Sequence, residues 1–209
     1  MARGVFDLPP TGWDVAAAKA AVRIARPAEE RSLRVVTWLA DEKLMLTAVA
    51  AFWLAARALS QSKTLKTEAD RMLLSVGIAG LLPHLFKRLV NRKRPDRTLV
   101  HGPRRGIPRS GNALDSFPSG HALHVGAIAG PLLRLTPPQG RPAVLAGLGA
   151  LAATRLLLLA HYLSDVVAGL VIGASVGAAV TALINDRKRA ELHEIMRALD
   201  IGNTASVKT

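Results

Sequence analysis

The sequence predicts an all-α protein, a polytopic transmembrane helix bundle of about five spans preceded by N-terminal interfacial amphipathic helices. Three observations lead there. Half of the 209 residues are hydrophobic, yet the formal net charge is +13. Many of the charges fall between long apolar runs, as they do in loops joining spans, rather than being spread through the amphipathic elements or tails of a soluble basic protein. The last apolar run carries Gly169, Gly173 and Gly177 four apart, a smooth face for close helix packing in lipid.

Taken in order, residues 1–43 form an N-terminal amphipathic interfacial segment. Asp7, Pro9, Pro10 and Asp14 stand where a cleavable signal peptide needs an apolar stretch, so none is expected. Residues 14–26 and 29–40 alternate Ala, Val and Ile with Lys19, Arg23, Arg31 and Arg34, which suits helices lying on anionic headgroups. Residues 44–185 form the membrane domain. Its apolar runs, 44–59, 72–90, 119–135, 143–163 and 166–184, approach or reach the ~20 residues a helix needs to span a bilayer. The first is short and ends near Arg57, whose side chain is expected to snorkel to the interface. Gly126 and Gly130 repeat the small-residue device on the third run. Beyond residue 185, Leu192, Ile195, Met196 and Leu199 follow helical spacing and give a C-terminal amphipathic helix, with a frayed tail to 209.

Composition removes several function classes. There is no Cys, which excludes disulfides and thiolate chemistry. A single Tyr leaves no aromatic platform among the basic clusters for stacking bases, so no nucleic-acid partner is expected. The expected partners are the bilayer and a molecule that lives in it, and the oligomeric state is not readable.

Ionisable groups are expensive at membrane depth, so several of them at the ends of apolar helices mark a site. Lys87 and Arg94 close the second run, Ser119, Gly120 and His121 open the third, and Arg155, His161 and Asp165 cross the end of the fourth. The loop after the second run and the turn after the fourth are two crossings apart, hence on one side of the membrane. At helical spacing His161 and Asp165, four apart, touch. A carboxylate there would accept a proton from one ring nitrogen and leave the other lone pair free, as a nucleophilic histidine requires.

In this order, Lys87-x6-Arg94-Pro95, Pro118-Ser119-Gly120-His121 and Thr154-Arg155-x5-His161-x3-Asp165 resemble the three motifs of the type 2 phosphatidic acid phosphatase superfamily, which shares its site with vanadium haloperoxidases. The resemblance covers about residues 87–165. Thr154 stands where the family usually has Ser, and five spans are counted where many members have six. The resemblance implies an integral membrane phosphatase acting on a lipid phosphate or polyprenyl diphosphate through a phosphohistidine. In it Lys87, Arg94, Arg155, Ser119 and the Gly120 amide would bind phosphate, and His161 would be the nucleophile. Asp165 would support His161, and His121 would serve as acid and then base. No metal or other cofactor is implied, since three cations supply the electrostatics.

Against this stand plainer readings: Arg155 paired with a helix carboxylate, Asp165 as a helix cap, His121 as a packing histidine. Each serves one residue and not the ordered set. His124 reads as a packing or supporting group, since no thiol or third histidine completes a metal site. Other functions that fit are a non-enzymatic basic membrane-binding protein and a phosphotransferase using the same pocket. Lys and Arg are commoner on the site's side of the membrane, which by charge alone reads as cytoplasmic. The resemblance implies the reverse, a periplasm-facing site in a bacterial inner membrane.

Overall fold

A computed structural model describes residues 4–24, 42–99 and 114–206. Among these the chain is helical nearly throughout. The helices are α1 (Gly12–Ile24), α2 (Glu42–Leu59), α3 (Lys63–Leu89), α4 (Pro95–Thr98), α5 (Gly120–Leu135), α6 (Arg141–Leu157) and α7 (Leu163–Ser206). A 3-10 turn, Pro138–Gly140, joins α5 to α6. One feature is not helical: β1 (Phe6–Asp7) runs parallel to β2 (Val90–Asn91), pairing Phe6 with Val90 and Asp7 with Asn91. It staples the N-terminal strand to the segment that follows α3. The interfacial helix expected over 29–40 lies outside the described residues.

The centre of the bundle is the α5–α7 pair, with α3 against both, α2 on α3 and α6 on α5. Small residues set this arrangement. A methyl group on Gly173 would lie 2.0 Å from the Leu123 carbonyl oxygen, and one on Gly126 would lie 2.3 Å from that of Leu170. The two backbones are therefore in direct contact, as the four-residue glycine spacing predicts. Gly130 does not take part, because the space beside it is filled by the Arg134 side chain. Met45, Val49, Met72, Val76, Val125 and Leu148 form the largest buried apolar cluster, drawn from α2, α3, α5 and α6.

The outer surface is also apolar. Leu74, Ile78, Leu81 and Leu85 of α3 and Val167, Val171 and Leu183 of α7 are exposed. Among the described residues, α3 and α7 are long and apolar enough to cross a membrane, with only 28% and 22% of their apolar windows buried. A soluble core helix would bury most of that surface. Helices α2, α5 and α6 are shorter, at 18, 16 and 17 residues.

Three local expectations differ from the structure. The helix predicted over 143–163 stops at Leu157, where Leu158 and Leu159 close tight turns onto Thr154 and Leu156 and Leu159 takes a left-handed φ of 52°. The last helix starts at Leu163 and runs unbroken to Ser206. No glycine or proline interrupts it between Gly177 and Gly202, so the span and the amphipathic tail are one rod. Arg57 does not simply snorkel. Its guanidinium reaches both oxygens of Asp70 on α3, at 2.6 and 2.8 Å, and lies 5.8 Å from the Trp53 ring.

Towards one end of the bundle, Glu68 accepts hydrogen bonds from Arg71 and, at 2.9 Å, from Arg134. Arg71 reaches Asn185 and Arg134 reaches Thr181, so this partly buried ionic cluster ties α3, α5 and α7 together. The opposite end holds the motifs.

Candidate active site

Helix α5 begins at the site because Ser119 caps it. The Ser119 hydroxyl accepts the Ala122 N–H, and its own N–H donates to the Asp165 carbonyl at 3.1 Å, fixing the start of α5 on the start of α7. Gly120 abuts Pro83 of α3, and Phe117 packs edge-on against Phe86 with ring centroids 6.3 Å apart. Lys87 is half-buried in the last turn of α3, one turn beyond Pro83 and on the same face. The first-turn amides of α5 emerge between these elements, and a helix N-terminus of this kind favours an anion.

The segment between α3 and α4 is held by backbone pairing. The Arg92 N–H donates to the Leu114 carbonyl at 2.8 Å, and the Ser116 N–H donates to the Arg92 carbonyl at 3.1 Å. Arg94, buried, donates to the carbonyls of Ala160 and Asp115 at 3.3 and 3.2 Å. The Asp96 N–H reaches the Leu159 carbonyl, which ties this segment to the turn after α6. Arg155 is also buried, and its carbonyl accepts the N–H groups of both Ala160 and His161. That bifurcated cap aims the His161 ring.

His161 is 4% exposed. Its Nδ1 lies 2.6 Å from the Ser116 carbonyl oxygen, which makes Nδ1 the protonated nitrogen and leaves the lone pair on Nε2. Burial, followed by the charges of Arg155 and Arg94, holds the ring's pKa well below its ordinary 6.5, against the pull of the Ser116 carbonyl. His121 also acts on it electrostatically. The structure thus brings His161, Arg94, Arg155 and His121 together. A neutral imidazole among fixed cations can present a nitrogen lone pair to a bound oxyanion.

The expected His161–Asp165 hydrogen bond is absent. Asp165 Oδ2 is 3.9 Å from His161 Nδ1, and the carboxylate is engaged elsewhere. It accepts the Ser116 hydroxyl at 2.5 Å, the Tyr162 N–H at 2.8 Å and the Arg92 guanidinium. The cause is the end of α6 at Leu157. His161 sits on a turn rather than one helical turn before Asp165, and the Ser116 carbonyl comes between them chemically.

Three participants escape the sequence reading. Ser116 lies in a loop with no motif of its own. Arg92 is one cation in a basic run. Asp14 is assigned to a surface-lying helix, yet it is buried, and its carboxylate accepts from Arg92 at 2.6 Å and from the Ser164 amide and hydroxyl at 2.8 Å each. A signal for Asp14 exists. Thr11 and Asp14 form a capping box, and Asp14 shares its helix face with Ala18 and Ala21, a small-residue stripe that fits closely against other helices. Two other hydroxyl and imidazole groups point elsewhere. Thr154 donates to the Leu151 carbonyl at 2.6 Å, and His124 Nδ1 meets the Gly120 carbonyl at 2.7 Å.

Comparison with known proteins supplies the family. A lipid A 1-phosphatase of Rhizobium johnstonii is 36% identical over 141 residues, which is 63% of this chain and 57% of that protein. A decaprenylphosphoryl-5-phosphoribose phosphatase of Mycobacterium tuberculosis is 36% identical over 113 residues, 54% of this chain and 59% of its own. The chain spans little more than half the length of these curated relatives. In fold it is similar to the crystal structure of a transmembrane PAP2 type phosphatidylglycerolphosphate phosphatase from Bacillus subtilis. That likeness has a TM-score of 0.64 at 23% identity, covering 83% of this chain and 85% of that one. The sequence model of the PAP2 superfamily matches residues 69–189, a stretch that contains all three motifs, and the chain belongs to that superfamily.

Proposed function

We propose that this protein is an integral membrane phosphatase that hydrolyses a lipid phosphate or polyprenyl diphosphate through a phosphohistidine on His161. The observation that carries the reading is the His161 ring itself. Its Nδ1 is anchored on the Ser116 carbonyl, and Arg94, Arg155 and His121 act on it where α5 begins.

In this mechanism Lys87, Arg94 and Arg155 neutralise the phosphate oxygens, and the Ser119 hydroxyl and Gly120 amide donate to them. Preorganised donors of this kind stabilise the charge that develops in the transition state. His161 Nε2 attacks phosphorus in line as the bond to the leaving oxygen breaks, and His121 gives that oxygen its proton. Water then attacks the phosphohistidine with His121 as base, releasing inorganic phosphate and restoring the neutral ring. Asp165 stabilises the charge that the ring carries while phosphorylated.

The exposed apolar faces of α3 and α7 support insertion in a bilayer, with α2, α5 and α6 completing five crossings and the site at one membrane surface. A lipid substrate would reach it from the side, which accords with relatives named for lipid A and decaprenylphosphoryl substrates. We place the protein in a bacterial inner membrane with the site facing the periplasm. The test is phosphate release by detergent-purified protein, with chelator present, from phosphatidic acid, phosphatidylglycerol phosphate, polyprenyl diphosphate and lipid A, beside His161→Ala. Turnover abolished by the substitution is expected. No release from any lipid, or equal release by the variant, would overturn the reading.

A further inference from the structure

Arg92 is the hinge of a chain of charges that no motif residue explains. One face of its guanidinium reaches Asp14 on α1 at 2.6 Å, and the other reaches Asp165 at the start of α7 and the Ser164 hydroxyl at 2.8 Å. All three ionic side chains are at most 1% exposed. Asp14 is held in turn by the Ser164 amide and hydroxyl and by the Thr11 N–H, and the Tyr162 ring lies 5.1 Å from the Arg92 guanidinium carbon. Asp14 is 78 residues from Arg92 and 150 from Ser164. Burying three charges this far apart in sequence is costly unless each is paired and hydrogen-bonded. Here each is.

We propose that Asp14, acting through Arg92, is a positioning residue for Asp165 and His161, so that the N-terminal helix α1 is a built-in part of the active site. The inference rests on the phosphatase reading above and deepens it. With one cation between two carboxylates, the trio carries a net negative charge next to the Nδ1 side of His161. The ring is otherwise faced by cations, Arg155 from α6 and Arg94 from the segment before α4, and by His121 from α5. Asp14 thus leaves Asp165 free to offset the positive charge that the ring gains when Nε2 bonds to phosphorus. Without Asp14, Arg92 would neutralise Asp165 alone. The same contact docks α1, since Ala18 and Ala21 pack with Leu159 and Tyr162 on either side of His161.

The experiment compares wild type, His161→Ala, Asp14→Asn and Arg92→Lys in detergent, using whichever lipid of the panel above wild type hydrolyses fastest. Asp14→Asn keeps the shape and removes the charge. Its kcat is expected to fall about 10–100-fold, the range seen when the outer partners of metal-bound histidines are lost, while KM stays within about threefold. Its acid limb in kcat/KM is expected at lower pH than wild type's, because His161 loses a negative neighbour. A residue that merely held the fold together would lower the amount of active protein and leave the limb in place. Arg92→Lys keeps the charge but cannot fork to two carboxylates, and is expected to lose kcat in the same way. It carries the test if Asp14→Asn does not fold. Wild-type kcat in the folded variant, or a loss with an unmoved acid limb, overturns the inference. Retained activity in His161→Ala overturns the phosphatase reading instead.

Discussion

The Nδ1 of His161 hydrogen-bonds to the main-chain carbonyl of Ser116, 45 residues away, at 2.6 Å, and not to the carboxylate of Asp165. The tautomer of the ring is therefore set by backbone. In a serine-protease triad, where a carboxylate sets the tautomer, changing Asp to Asn lowers kcat by about 10⁴. Here Asp165→Asn is expected to cost less, about 10²-fold, because the Nδ1 proton keeps its acceptor. Steady-state kcat of the purified variant decides it, and a loss near 10⁴ would mean that Asp165 holds the tautomer after all.

Ser116→Ala separates the two roles of that residue. The carbonyl remains, so His161 keeps its orientation and kcat is expected to stay within about tenfold. The Asp165 carboxylate loses one buried hydrogen bond, and hydrogen bonds to charged groups are worth about 1.5–3 kcal/mol. Thermal unfolding in detergent is expected to report that loss even where activity does not.

In the proposed mechanism the two buried guanidiniums, Arg94 and Arg155, bind the phosphate. Arg94→Gln and Arg155→Gln are each expected to lower kcat/KM by about 10²–10³-fold, the usual consequence of removing one preorganised donor. Arg94 also ties Asp115 to Ala160, so its variant is expected to unfold at lower temperature as well, a second effect that thermal denaturation measures.

Acidity is expected to act at two points. Burial opposes ionisation of Asp14, but its hydrogen bonds from Ser164 and Thr11 outweigh this and hold its carboxyl at about 2, below the ordinary 3.8. A depressed carboxyl stabilises the fold above the unfolded-state pKa and loses that contribution as pH falls through the folded one. Docking of α1 is thus expected to weaken as the pH falls from about 4 towards 2, readable as protease access to α1. His161 is also depressed, below 6.5, and as a base it follows the opposite charge logic. Its neutral form persists in the folded protein, so the acid limb of kcat/KM is expected below pH 6.5. Below that pH the unfolded chain takes up the proton first, and stability declines.

The α5–α7 contact makes a sharp test of packing. Gly173→Ala would place a methyl group 2.0 Å from the Leu123 carbonyl, and the helices must separate, at a cost of about 1–3 kcal/mol or more. Gly147→Ala on α6 meets nothing within 4 Å and is expected to be neutral or stabilising by up to ~1 kcal/mol through helix propensity. The melting temperature should fall for Gly173→Ala and hold or rise for Gly147→Ala.

How far the sequence could be read follows from the range of the interactions. Apolar runs and four-spaced glycines are local, and they foretold the helices and the touching backbones at Gly126 and Gly173. The motif residues were legible because their types and order are specific. What stayed hidden was set at a distance. The end of α6 at Leu157 comes from tight turns and a left-handed Leu159 that no periodicity announces, and it moved the His161 contact from Asp165 to Ser116. Arg92 carries no motif of its own and Asp14 is the polar start of an interfacial helix; only the fold brings them together. The unbroken α7 was legible in principle, since nothing between Gly177 and Gly202 breaks a helix.

The covalent step can be trapped. Enzyme mixed with lipid substrate bearing labelled phosphate is quenched in alkali, where phosphohistidine survives, and digested for mass spectrometry. A phosphoryl adduct on His161, absent from His161→Ala, is the expected result. Turnover with no adduct on His161, or with the label on another residue, would contradict the account.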